Sequence, residues 1–137
     1  MSIDDPLTRQ VIGLAMRVHT ALGPGFMESV YRRALLYELR RADVACEEEK
    51  RITVFYEGEA VGDFIADIVI DGRVLVELKA VEILHSAHEV QTVNYLKATG
   101  IDIGLLLNFG TTRLQIRRKF RQSRKPLLQT DDPVDVT

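Results

Sequence analysis

The sequence predicts an α/β fold, a mixed β-sheet sandwiched between helices. Three observations carry this. Two stretches of helical periodicity lead the chain, both before residue 42. The apolar period then falls to that of strands. A third helical stretch follows, and after it Ile103–Phe109 forms a continuous apolar run of the kind found in covered strands. The order helix, helix, strands, helix, strand, strand suits helices layered on a central sheet.

Residues 8–22 place Val11, Ile12, Leu14, Ala15, Val18, Ala21 and Leu22 at helical spacing, with Thr8 as the expected N-cap. Gly23-Pro24-Gly25 ends this helix, because both residue types break helical geometry. A second helix is expected over Met27–Arg41, with Val30, Ala34, Leu35 and Leu39 facing inward. Val44–Glu48 reads as a short strand and Arg51–Tyr56 as a separate alternating one, followed by a turn at Glu57-Gly58-Glu59. Ala60–Ile70 and Arg73–Ala80 read as two strands of a hairpin. Between them stands Asp71-Gly72, the strongest short-range hairpin signal. Residues 86–99 read as a helix stopped at Thr99-Gly100, and Thr111–Phe120 as a further, edge strand. From Gln122 the chain carries two prolines and three aspartates and reads as loose. The expected organisation is one domain over 1–121 and a flexible tail over 122–137.

A chain of 137 residues with 46% hydrophobic and 28% charged content suits one globular core. No apolar run approaches the roughly 20 residues that span a bilayer, and the acidic start Met1-Ser2-Ile3-Asp4-Asp5 lacks a signal-peptide pattern. The single cysteine, Cys46, excludes an internal disulfide framework and fits a reducing cytoplasm. A net charge of −2 argues against an overall basic coat. The distribution is uneven, however. Arg113, Arg117, Arg118, Lys119, Arg121, Arg124 and Lys125 form a stretch free of acids. It reads either as a phosphate-contacting surface or as a solvated edge and tail.

The chemistry concentrates at the predicted hairpin. Its pairing brings Asp67 close to Glu77, and alternation points Glu77 and Lys79 to one side. Val74, Leu75, Val76 and Leu78 make that strand apolar on both faces. Charges buried there need partners or a metal. Glu-x-Lys on a strand is also a common surface ion pair. Two carboxylates suit a hard divalent ion such as Mg²⁺, and a lysine can orient a water.

Asp67 and Glu77-Leu78-Lys79 resemble the core of the PD-(D/E)XK nuclease superfamily. Gly25-Phe26-Met27-Glu28-Ser29-Val30-Tyr31 is similar to the GxxExxY pattern of one branch of it. Gln91-Thr92-Val93-Asn94-Tyr95 resembles the QxxxY helix motif of its exonuclease-like members. The resemblance implies a three-layer, restriction-endonuclease-like sandwich and hydrolysis of phosphodiester bonds, in DNA before RNA. It implies Mg²⁺, or Mn²⁺ in its place, on Asp67, Glu77, the Leu78 carbonyl and Glu28, with Lys79 serving the attacking water. It also implies Gln91 and Tyr95 as substrate-binding residues. Glu28 can equally cap backbone amides, and Tyr31 can bind phosphate or sit in the core. His19 resembles a histidine of the branch that reaches the site, and it also suits a satisfied helix end. His85 and His88 border the expected cleft and are not expected to be ligands. Nucleic acid is the expected partner, with a homodimer left open. Two rivals use the same fold: a non-catalytic nucleic-acid-binding module and a protein-interaction module.

Overall fold

The computed structural model describes residues 5–121. Helices α1 (Pro6–Leu22) and α2 (Glu28–Arg41) precede strands β1 (Cys46–Tyr56), β2 (Glu59–Ile70) and β3 (Val74–Lys79). Helix α3 (Ser86–Thr99) and strands β4 (Ile103–Asn108) and β5 (Gln115–Phe120) follow. The strands form one sheet in the order β1-β2-β3-β4-β5. Only β3 and β4 run parallel, and α3 is the crossover between them. The fold is the restriction-endonuclease-like α/β sandwich that the sequence predicts.

The two faces have separate cores. Val74, Val76, Leu78, Ile103, Leu105 and Leu107 pack with α1 and α2 through Val11, Ala15, Leu35 and Leu39. On the other face Ala66, Val69 and Leu75 pack with Leu96 of α3. Helix α3 comes close because β4 carries Gly104 there. A Cβ at Gly104 would stand 3.0 Å from the Thr92 methyl and 3.2 Å from Leu96.

Three local expectations change. The N-cap of α1 is Asp5, not Thr8: the Asp5 carboxylate accepts the Thr8 N–H at 2.8 Å and the Thr8 hydroxyl at 3.0 Å. Pro6 then takes the first helical position, where its missing N–H costs nothing. The two short strands expected over 44–56 are one edge strand, β1. Its charged middle, Glu47–Arg51, needs no apolar alternation because an edge strand faces water. The last strand begins at Gln115 rather than Thr111. The Asp71-Gly72 turn forms as expected, with φ of 52° and 63°. Both angles lie in the left-handed region that this dipeptide accommodates. The tail over 122–137, including Arg124 and Lys125, lies outside the described residues.

Candidate active site

Strands β2 and β3 pair only from Ile68 to Ile70 against Val74 to Val76. The ladder stops one step short of Asp67 and Glu77, and β2 continues as half of the long β1–β2 hairpin. At this fork the backbone amides turn to side chains. The Asp67 N–H donates to Glu77 Oε2 at 3.3 Å, and the Leu78 N–H donates to Asp67 Oδ2 at 2.8 Å. Each carboxylate thus takes over an amide bond that the divergence of the strands leaves unmade, as buried donors require.

Alternation on β3 sends the Leu78 side chain into the α1–α2 core and turns Leu75 toward α3. Glu77 and Lys79 share the α3 side with Leu75. Glu77 is only 6% exposed. Burial, reinforced by the Asp67 charge, pushes its carboxyl up to about 8. Burial also raises the Asp67 carboxyl. The Leu78 amide and the positive charges of Arg32 and Lys79 oppose that rise without cancelling it. Two carboxyls this close do not both ionise readily, so each charge holds the other's proton on more tightly.

Tyr95 of α3 joins this pair. Its ring lies flat on Phe64 at 3.6 Å between centroids, tilted by 5°. Burial and the charges of Glu77 and Asp67 raise its phenol, while a hydrogen bond with Gln91 lowers it. Gln91 is exposed one helical turn away. Glu28 is exposed in the first turn of α2, and among the described residues it does not form a group of three metal-ligating acids with Asp67 and Glu77. Its charge acts on His88, whose Nδ1 accepts the His85 N–H at 3.2 Å. Burial and the cationic charge of Lys79 lower the His88 imidazole.

Tyr31 and His19 go elsewhere. The Tyr31 hydroxyl donates to Gly23 O at 2.6 Å and accepts the Phe26 N–H at 3.1 Å, and its ring stacks on Phe109 at 4.7 Å. It ties the Gly-Pro-Gly turn to the core, and no polar atom is left over for the carboxylates. His19 is buried against Thr111, its Nε2 2.9 Å from the carbonyl oxygen, beside Phe109. It braces the loop after β4.

Sequence reasoning missed two residues. Arg32 of α2 exerts its charge on Asp67. It lies four residues after Glu28, a spacing that puts both on one helix face and could have found it. Asn108 is fully buried at the end of β4, level with Lys79. Its carboxamide accepts the Val81 N–H and donates to the Val81 carbonyl, both at 2.9 Å. That clamps the chain immediately after Lys79. An asparagine inside an apolar run was the available signal. Much of the basic stretch, by contrast, is already engaged: Arg117 and Lys119 pair with Glu89, and Arg121 pairs with Asp102.

Among the described residues no group of three or more His, Cys, Asp or Glu forms a metal cage. The donor set present is the Asp67–Glu77 pair. Each carboxylate gives one oxygen to an amide and keeps another for a proton or a cation. Two adjacent carboxylates fit Mg²⁺, which completes its shell with waters and substrate phosphate.

The sequence model of the PD-(D/E)XK nuclease superfamily matches residues 5–119. This chain belongs to that superfamily. Nucleases of the superfamily generally use divalent metals such as Mg²⁺. The fold is also similar to the crystal structure of SSO0001, with a TM-score of 0.55 at 17% identity. That match covers 71% of this chain and 52% of the other, so this chain spans about half its length. No curated protein matches the sequence. Among the described residues no helix is long and apolar enough to cross a membrane.

Proposed function

We propose that the chain hydrolyses phosphodiester bonds in nucleic acid, with the Asp67–Glu77 pair as its centre. The observation that carries this reading is the pair itself. Two carboxyls are held side by side at a strand fork, desolvated enough to raise both, with Lys79 on the same side of β3. Perturbed acids cluster at functional sites.

Asp67 and Glu77 would hold Mg²⁺ or Mn²⁺, joined by the Leu78 carbonyl and Glu28. A bound divalent ion offsets phosphate charge and makes a water more acidic. Lys79 holds the attacking water and stabilises charge that develops on the phosphate. Tyr95, braced on Phe64, and Gln91 orient the substrate phosphate. Asn108 keeps Lys79 in place by fixing the chain that follows it. Gly25, Glu28 and Tyr31 support assignment to the GxxExxY branch. DNA is the preferred substrate by the prevalence of DNA nucleases in the superfamily.

A screen of labelled single- and double-stranded DNA and RNA with Mg²⁺ or Mn²⁺ tests this. Cleavage by the wild type that vanishes in both Asp67→Ala and Lys79→Ala supports it. Cleavage that persists in both variants, or no cleavage of any substrate, overturns it.

A further inference from the structure

A groove of about 540 Å³ runs between α2 and β1, lined by Arg32, Arg33, Leu36, Tyr37, Arg40 and Glu48 with Glu49. Arg32 lines it and carries the charge that acts on Asp67, and Glu49 stands level with Asp67 on the neighbouring strand, so the groove borders the Asp67 end of the fork. The Arg32 side chain is 19% exposed, and its buried Nε has no hydrogen-bond partner among the described residues. Arg33 is exposed and makes no ion pair among the described residues. Arg40 reaches Glu48 at 3.4 Å and Arg32 reaches Glu49 at 3.7 Å. Such exposed pairs are weak and readily exchange for another anion.

The spacing suits a polyanion. Arg33 and Arg40 are seven residues apart, about 10 Å along a helix. Between them Tyr37 is 59% exposed. The Arg41 guanidinium lies 5.7 Å from its ring centroid and backs it. Cations along a groove with an aromatic platform between them are the components of single-strand binding. A duplex would keep its bases stacked and leave Tyr37 without a role.

We propose that the α2–β1 groove is the track for a single-stranded segment of nucleic acid. Arg33 and Arg40 hold its phosphates, Tyr37 stacks a base, and Arg32 passes the strand to Asp67 and Glu77. Only the destination of the strand rests on reading those carboxylates as the hydrolytic centre.

The test is fluorescence anisotropy with a labelled oligo-dT and a labelled duplex of equal length, in EDTA so that nothing is cut. The expected result is single-strand binding that weakens by on the order of a hundredfold in Arg33→Glu/Arg40→Glu. Tyr37→Ala should weaken it about tenfold. The salt slope should shrink by about 1.4 in Arg33→Ala/Arg40→Ala, which guards against misfolding of the reversed variant. Lys97→Glu on α3 controls for net charge. No binding, unchanged affinity in both arginine pairs, or duplex binding indifferent to Tyr37→Ala overturns the proposal. The hydrolytic reading fails separately: arginine-dependent binding with no cleavage in Mg²⁺ or Mn²⁺ sinks the nuclease and leaves the track standing.

Discussion

Two charged regions of this molecule are built from the same residue types and behave oppositely. At the β2–β3 fork, Glu77 is buried beside half-buried Asp67, and both carboxyls are raised. Across α3 and β5, Glu89 is met by Lys119 and Arg117 at the surface, and its carboxyl is lowered, first by the hydrogen bond from Lys119. The surface cluster satisfies itself. The fork places two carboxyls side by side where burial raises both, and the nearby positive charge does not cancel that rise. The difference teaches that an acidic residue in a sheet is informative through its partners rather than its identity.

The sharpest way to break this comparison is to neutralise one acid in each region. Glu77→Gln should lower hydrolysis on the order of a thousandfold, the scale for removing preorganised charge from a reacting centre. Glu89→Gln should leave the rate within severalfold. Comparable losses in single-turnover assays would show that the fork is not special.

Stability against pH separates the regions by sign. Glu77 has a folded value of about 8, above its ordinary value of 4.5. Between these the folded state binds more protons than the unfolded one. Metal-free protein should therefore lose stability as pH rises from about 4.5 to 8, on the order of 2 kcal/mol or more. Glu77→Gln should flatten that slope in urea melts. Excess Mg²⁺ should restore stability above pH 7 and release protons on binding, readable by calorimetry in buffers of different ionisation enthalpy. A slope of the opposite sign would refute the raised pair. Glu89, being lowered, stabilises above its ordinary value and loses that contribution as pH falls.

A smaller effect tests Tyr31. Tyr31→Phe keeps the stack on Phe109 but removes the bonds to Gly23 and Phe26. It should cost about 1–2 kcal/mol in urea unfolding. It should also leave the Mg²⁺ affinity of the pair unchanged.

The smallest effect belongs to the surface. Glu89→Gln should cost under about 1 kcal/mol, and 1 M salt should erase the difference.

The carboxylate fork was legible in the sequence. Asp71-Gly72 sets the turn, and strand alternation then puts Asp67 opposite Glu77 with Lys79 beside it. These relations are local and follow from a period of two and one tight turn. The cap at Asp5 was missed although Asp-Pro marks it, because Thr8 also suited a cap. The single strand β1 was missed because its charged middle hides the pattern, and only its place at the sheet edge makes that middle acceptable.

What no local rule could supply is which helix face meets which end of the sheet. Tyr31, three residues after Glu28, was a candidate for the site, yet packing turned it onto Phe109 and the Gly-Pro-Gly turn. Arg32, one residue further on, instead brings its charge to Asp67. His19 went to Thr111, 92 residues away. Asn108 gained its role only because the parallel pairing of β3 and β4 sets it level with Lys79. The sequence by itself determined the elements, the hairpin and the carboxylate pair, since these depend on neighbours along the chain. The tertiary structure decided the burial of Glu77 beside Asp67, the raised carboxyls of both, and the approach of Arg32 and Tyr95. Those follow from desolvation and long-range contact, which arise only when the layers close.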